Sequence, residues 1–325
     1  MSNIHKDSIA KSNFSLAKKF KGKKGLAFKS NIVFISMTLP AALYLIVFNY
    51  LPLVGNVLAF KKYRYDEGIF GSKWIGLENF EFLFTSSDLW RITRNSIGYG
   101  VVFIIVNTIL ALILALLLYQ VTNGLLLKIF QTSFILPNFL SWIMVSFIVY
   151  IFLNAESGVV NTIFENLGKE TFDWYSKAGA WVFLIPIINA WKNIGWISLI
   201  YYASLMSINN ELFEAASLDG AGKFKQAWYI SIPSLMPVIA TMSLISVGTS
   251  LIRQDLGLFY AVTRNSGLLY RATDVIDTYV YRATVQVGDI GMSAAAGLFQ
   301  TVVGLFLVLI TNWIIKKTHP ESAIF

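Results

Sequence analysis

The strongest constraint on this chain is where its charges are missing. Residues 30–60, 95–127, 129–155, 226–252 and 290–315 contain no Asp, Glu, Lys or Arg, and 178–210 is interrupted by Lys192 alone. A helix that crosses the hydrocarbon core needs about 20 mainly apolar residues, and each stretch holds one. In lipid the backbone N–H and C=O groups have no water to bond, so a spanning segment must satisfy them within itself. The period-2 alternation of a membrane β-barrel is absent. The expectation is an all-α integral membrane protein with six transmembrane helices, near 32–54, 97–119, 132–153, 180–206, 236–258 and 294–315. The first apolar run continues through Leu51-Pro52-Leu53-Val54. It therefore outlasts the short core of a cleavable signal, about 7–15 residues, and reads as a retained span.

Composition narrows the chemistry. Charged residues make up 14% of the chain, against about a quarter in soluble domains. There is no cysteine, and the two histidines, His5 and His319, sit in polar termini. Thiolate nucleophiles, zinc–thiolate sites and histidine bases are excluded, and no metal site is expected. The net charge is +8, but eight of the 26 basic residues fall in the first 29 positions. This is a basic tail, not the basic surface of a nucleic-acid-binding domain. Residues 1–30 read as that tail and 31–325 as one membrane domain. The dense lysines Lys18-Lys19 to Lys23-Lys24 before the first span, with Lys316-Lys317 after the last, place both termini in the cytoplasm.

That orientation makes the segment at 207–235 cytoplasmic, and it is unusual. It is long and helix-prone, and it lies between the fourth and fifth spans. Asn209 or Asn210 can cap a short helix, with Glu211 favoured in its first turn. Gly220 and Gly222 permit the conformations that end it, and a second short helix then runs to Pro233. The segment reads Glu214-Ala215-Ala216, then Asp219-Gly220-Ala221, then Ile230-x-Ile232-Pro233. This resembles the "EAA loop" of the permease subunits of binding-protein-dependent ABC importers, with Ile232 where the pattern has Leu.

The resemblance extends beyond the loop. Tyr50-Leu-Pro52-Leu-Val-Gly55, Trp74-Ile-Gly76-Leu-Glu-Asn79-Phe80, Asp274-Val-Ile-Asp277-Thr-Tyr279-Val-Tyr281-Arg282 and Ala294-Ala-Ala-Gly297-Leu-Phe299 look like the subgroup that imports oligosaccharides and polysaccharide fragments. It implies the type I importer permease fold. It also implies a heterodimer with a second permease subunit, two copies of an ATPase subunit that hold MgATP, and an external solute-binding protein. Glu214, Ala215, Ala216, Asp219, Gly220 and Ala221 would then couple the pore to the ATPase. No Gly-x-x-x-x-Gly-Lys-[Ser/Thr] loop is present, so this chain is expected to carry no cofactor and no catalysis of its own. The loop alone does not separate sugars from amino acids or peptides as cargo. A proton-coupled transporter would need an intramembrane carboxylate relay, and only Asp255 lies near a span.

Sugars are held by aromatic faces and hydrogen-bonding groups, and polar residues at membrane depth face a cavity or another helix by default. The fourth span offers Asn189, Trp191, Lys192, Asn193 and Trp196. Lys192 lies roughly 18 Å into that span at 1.5 Å per residue, unless the helix starts later and the side chain snorkels outward. The third span adds Asn138 and Trp142. Arg253, Arg264, Arg271 and Arg282 flank the last outer loop. They suit an acidic oligosaccharide or an acidic binding protein, or else pairing with Asp255, Asp274, Asp277 and Asp289.

Overall fold

The protein's computed structural model describes residues 34–81 and 87–318. The 1–30 tail, with Lys18 to Lys24 and His5, lies outside the described residues, as does His319. Among the described residues five helices are long and apolar enough to cross a membrane, and a pair bent by 101° makes a sixth if it is taken as one span.

The first span, α1 (Phe34–Phe60), is continuous to Phe60 instead of ending near residue 54. It passes through a π turn at Ile46–Tyr50 and a 3-10 stretch from Leu51, the adjustments expected where Pro52 lacks an N–H. Residues beyond 57 belong to the second compact unit of the chain, Leu58–Phe325. There a two-residue antiparallel pair, β1 (Lys61–Lys62) with β2 (Lys73–Trp74), is held by Asn79. Its Nδ2 donates to the carbonyls of Leu58, Ala59 and Lys61 at 3.2, 3.1 and 2.9 Å.

Helix α2 (Ser87–Tyr119) begins ten residues before the expected 97. Its extra turns carry Asp88 and Arg91, which pair at 2.8 Å, so charge marks where the apolar part starts and not where the helix starts. The third span departs most from expectation. It is a broken pair, α3 (Gly124–Phe139) and α4 (Trp142–Leu153), not one helix over 132–153. Asn123 caps α3 by accepting from the N–H groups of Leu125 and Leu126. Pro137 tightens its end into a 3-10 turn, and Ser141 caps α4 by accepting from Met144. A proline and a capping serine four residues apart explain the break.

Between α4 and the fourth span lies α5 (Val159–Asn166). The fourth span, α6 (Ala178–Leu205), matches the expected 180–206 closely. Next come α7 (Asn210–Leu218) and α8, which runs from Lys223 to Ser250. The expected stop at Pro233 is not made. A π turn over Ala227–Ser231 precedes it and accommodates the N–H that Pro233 lacks, so the helix continues through it. The fifth span is therefore 223–250, not 236–258. The chain then leaves helical geometry at 251–255, re-enters a π-helical turn at Gly257–Val262, and forms α9 (Ile276–Arg282) before the last span, α10 (Ile290–Thr318).

Among the described residues two larger apolar clusters, with a smaller one of Ile92, Ile252 and Ile276, hold these elements together. Tyr99 and Phe103 of α2, Val145 and Val149 of α4, Trp181 and Ile185 of α6, and Leu258 and Phe259 form one. Ala111, Ala115, Tyr201, Leu205 and Leu235 form the other, nearer the α7 end. Glycines set the closest crossings. A Cβ on Gly195 would collide with the Phe134 carbonyl, so α6 meets α3 backbone to side-chain-free backbone. Close approach through small residues is the usual way membrane helices pack without a hydrophobic driving force.

Candidate functional site

Both helix breaks face the same space. A cavity of about 450 Å³ is lined from α2 by Phe103, Asn107 and Thr108, from α6 by Asn189, Lys192, Asn193 and Trp196, and from α8 by Ser246 and Thr249. Trp142 from the first break and Arg253, Gln254 and Asp255 from the second complete the wall, with Asp277 beside them. Residues 189, 192, 193 and 196 follow i, i+3, i+4, i+7 spacing, one stripe of a helix. Trp191 lies about 100° from Lys192 around the helix and is 42% exposed off the cavity. Asn138 does not line the cavity either; its backbone carbonyl is what matters.

That carbonyl explains Lys192. The side chain is 8% exposed, and its ammonium donates to the carbonyls of Leu140 at 2.7 Å, Asn138 at 2.8 Å and Pro137 at 3.4 Å. It also lies 5.2 Å from the centre of the Trp142 ring. The 101° bend leaves the Asn138 and Leu140 carbonyls without helical partners, and the ammonium takes their place while also reaching the Pro137 carbonyl, which keeps its bond from the Leu140 N–H. Lys192 neither snorkels nor presents a free charge; it closes the broken span. Trp142 continues the chain of contacts by donating its indole N–H to the Asp255 carboxylate. The second Asp255 oxygen accepts from the Gly257 N–H at 2.8 Å, capping the π-helical turn. A Cβ on Gly257 would overlap Trp142. The two breaks are thereby fastened to each other.

A second polar network supports the wall. The buried Gln254 amide donates to the carbonyls of Ser96 and Ser250, both at 2.9 Å. Its backbone N–H donates to Asp277 Oδ2 at 2.7 Å, and Gln300 donates to the same oxygen at 3.1 Å. Burial raises the Asp277 carboxyl above the usual carboxylate range, and the bonds from Gln254 and Gln300, then the Arg253 charge, oppose this. Across the cavity Asn107 Nδ2 donates to Asn189 Oδ1 at 3.0 Å. Asn107 Oδ1 has no partner among the described residues.

The four arginines separate. Arg253 lines the cavity, is exposed, and joins no salt bridge among the described residues. Arg264 lies 4.1 Å from the Tyr150 ring centre. Burial pushes the Tyr175 phenol up to about 12, with the Arg264 charge opposing. Arg282 pairs with buried Asp274 at 2.5 Å, which Arg91 also reaches at 2.9 Å. Arg271 lies in a separate groove. The expected pairing thus holds for Arg282 and Asp274, with Arg91 as an unforeseen partner.

At the opposite end of the spans, Asn209 Oδ1 caps α7 by accepting from the Glu211 N–H at 3.0 Å. Gly220 adopts φ +75°, and the Ala221 N–H returns to the Ala216 carbonyl at 2.8 Å. This is a Schellman end, which the left-handed glycine makes possible. Gly222 needs no special conformation, since it sits at φ −67° as the N-cap of the next helix. Gln226 locks the turn by donating to Ser217 Oγ at 2.8 Å and to the Ala221 carbonyl at 3.0 Å. Glu214, Ala215, Asp219 and Gly220 are exposed, while Ala216 and Ala221 are half-buried.

Sequence reasoning missed Asn107, Gln254, Asp255 and Asp277 as cavity residues. Asn107 carried a usable signal, a side-chain amide in an otherwise apolar span. Gln254 and Asp255 come from the loop after α8 and Asp277 from the short helix α9, and no periodicity records their convergence. Among the described residues no cluster of three or more His, Cys, Asp or Glu could hold a metal.

A bundle of spans with a polar cavity at its helix breaks, and a capped, exposed helical turn at the other end, defines a membrane transport subunit. The chain belongs to the family described as binding-protein-dependent transport system inner membrane component, whose model matches residues 107–320. It is an ABC importer permease subunit, the non-catalytic membrane component, and its place is the bacterial cell membrane. It is 32% identical to Protein LplB of Bacillus subtilis (strain 168), covering 88% of this chain and 89% of that one. It is 31% identical to the polygalacturonan/rhamnogalacturonan transport system permease protein YteP of the same organism, covering 88% of each. The crystal structure of a bacterial alginate ABC transporter, in complex with an alginate pentasaccharide-bound periplasmic protein, superposes with a TM-score of 0.80. The identity is 29%, over 89% of this chain and 96% of that one.

Proposed function

We propose that this chain is one half of a heterodimeric translocation path that imports an oligosaccharide, delivered by an external binding protein. The single observation that carries the reading is the shape of the cavity. Amides, hydroxyls and the Trp142 and Trp196 indoles line a wall that is open on one side, as a half-site shared with a second permease would be. The YteP likeness and the alginate importer structure support a saccharide cargo over a peptide or amino acid. Both termini and the 207–235 segment are cytoplasmic in this reading. The exposed Glu214-Ala215-Ala216 surface, fixed by the turn at Gly220, docks an ATPase subunit, which binds and hydrolyses MgATP. Closure of two such ATPases is carried through α7 to α8 and opens the cavity toward the binding protein.

The cargo is acidic in this proposal, and Arg253 is the group that reads it. Lys192, Asp255 and Asp277 are already bonded within the wall, which leaves Arg253 as its exposed cation. A guanidinium can hold a uronate carboxylate bidentately. The test is ATPase activity of the purified assembly, with binding protein and either a uronate or a neutral oligosaccharide. Stimulation by the uronate, lost in Arg253→Gln and uncoupled by Glu214→Ala or Gly220→Pro, is expected. Equal response to neutral sugar, unaffected by Arg253→Gln, would overturn the acidic cargo. Purification with no ATPase or second permease would overturn the assembly.

A further inference from the structure

A second groove, of about 620 Å³, lies between α2 and α6 at the membrane face opposite α7. Its rim is basic and its floor apolar. Arg94 and Arg271 stand at the rim with Asn95. Below them, positions 98 and 102 on α2 and 182 and 186 on α6 descend one turn at a time. Eight residues of helix make this about 12 Å deep. Gly98 and Gly179 keep its upper turn open, because a Cβ at either position would meet nothing within 4 Å. Val102 and Val182 are 37% and 47% exposed, so an apolar surface runs down from the charged rim.

The rim charges are in place and uncompensated. Arg94 donates to its neighbour Asn95 at 3.1 Å, and Asn95 in turn donates to the carbonyls of Arg271 at 3.3 Å and Asp274 at 2.9 Å. This fastens the Arg271 segment to α2. Neither arginine takes part in a salt bridge among the described residues. The 28-residue helix α6 starts at Ala178, also on this rim, with its positive dipole end. Two unpaired arginines and a helix start sit above an apolar channel, at the level where the uncharged stretches 95–127 and 178–191 begin.

We propose that this groove binds an anionic phospholipid, with the phosphate between Arg94 and Arg271 and an acyl chain along Gly98, Val102 and Val182. Charge complementarity chooses the headgroup, and the apolar floor distinguishes a lipid from a soluble anion. A basic side chain close to an anionic lipid surface is worth about 1 kcal/mol, or about fivefold in affinity. The site is separate from the transport cavity, so its failure leaves the import reading untouched.

The test is native mass spectrometry of the full-length chain, in the assembly with which it purifies, offered phosphatidylglycerol or phosphatidylcholine. Selective retention of phosphatidylglycerol is expected. Retention should fall about fivefold in Arg94→Gln or Arg271→Gln, and survive largely in Arg94→Lys. Gly98→Leu should expel the lipid with the rim intact, since its side chain has room to fold into and fills the groove. Equal retention of both lipids, or no loss in the arginine variants, overturns the proposal. Displacement by inorganic phosphate at matched concentration would mark a free-anion site and also overturn it. So would efficient crosslinking of Gly98→Cys, in this otherwise cysteine-free chain, to another subunit.

Discussion

Replacing Lys192 by Met keeps most of the side chain's volume and removes its ammonium. The broken span then loses the donors to the Asn138 and Leu140 carbonyls, at 2.8 and 2.7 Å, and the weaker one to Pro137 at 3.4 Å. The Pro137 carbonyl keeps a backbone bond from the Leu140 N–H at 3.2 Å, so two acceptors are stranded. Each buried, unsatisfied acceptor costs about 1–3 kcal/mol, and the lost contact with the Trp142 ring adds about 1 kcal/mol. Relief from burying a charge and water entering from the cavity offset part of this. A net loss of about 3 kcal/mol is expected, concentrated at the 136–142 break. Because 1.4 kcal/mol is tenfold in an equilibrium, amide exchange across 136–145 should quicken about a hundredfold in Lys192→Met. Exchange in α10 should stay near wild type. Lys192→Arg, which retains charge and donors, should restore much of the protection. Unchanged exchange at the break, together with a loss confined to sugar-stimulated ATPase, would refute the clamp and return Lys192 to the cargo.

Further consequences are open to direct measurement. Asp277→Asn keeps an oxygen able to accept from Gln254 and Gln300 and removes a buried charge. The folded-state pKa of Asp277 is raised, so the folded state binds its proton more tightly, and stability is lost as pH rises above the ordinary carboxylate range. Thermal scans should therefore favour Asp277→Asn at pH 7–8, with the advantage shrinking toward pH 4. Gly195→Ala forces a methyl onto the Phe134 carbonyl and should cost about 1–3 kcal/mol, whereas Gly297→Ala, with nothing within 4 Å, should be near neutral in the same scans. Gly220→Ala must adopt φ +75° at about 1–2 kcal/mol; partial uncoupling of ATPase from cargo is expected, with the chain still inserted in the membrane.

Much of this protein was legible in one dimension because the bilayer imposes a one-dimensional rule. An uncharged run of 25 residues has few places to be other than lipid, and the α6 boundaries fell within two residues of their expected positions. The turn at Gly220 was legible for a similarly local reason. An Asn cap, a following glycine and their spacing encode a short helix with its end. What the sequence left undetermined is where helices break and what meets at the breaks. The charge-free run 129–155 reads as one span, yet the chain turns by 101° inside it. The turn is stable only because a lysine 52 to 55 residues away supplies its missing hydrogen bonds. From its depth Lys192 read as either a cavity residue or a snorkelling one, and Trp191 was one of five candidates on the same span. Helical phase sends Trp191 outward, and three carbonyls occupy the lysine. Asp255, from a loop, and Asp277, from the two-turn helix α9, enter the wall through tertiary folding that no period records. Hydropathy fixes which residues are in the membrane, since that is a transfer energy each segment carries by itself. Which polar groups satisfy one another there is a property of pairs, and only the folded chain decides it.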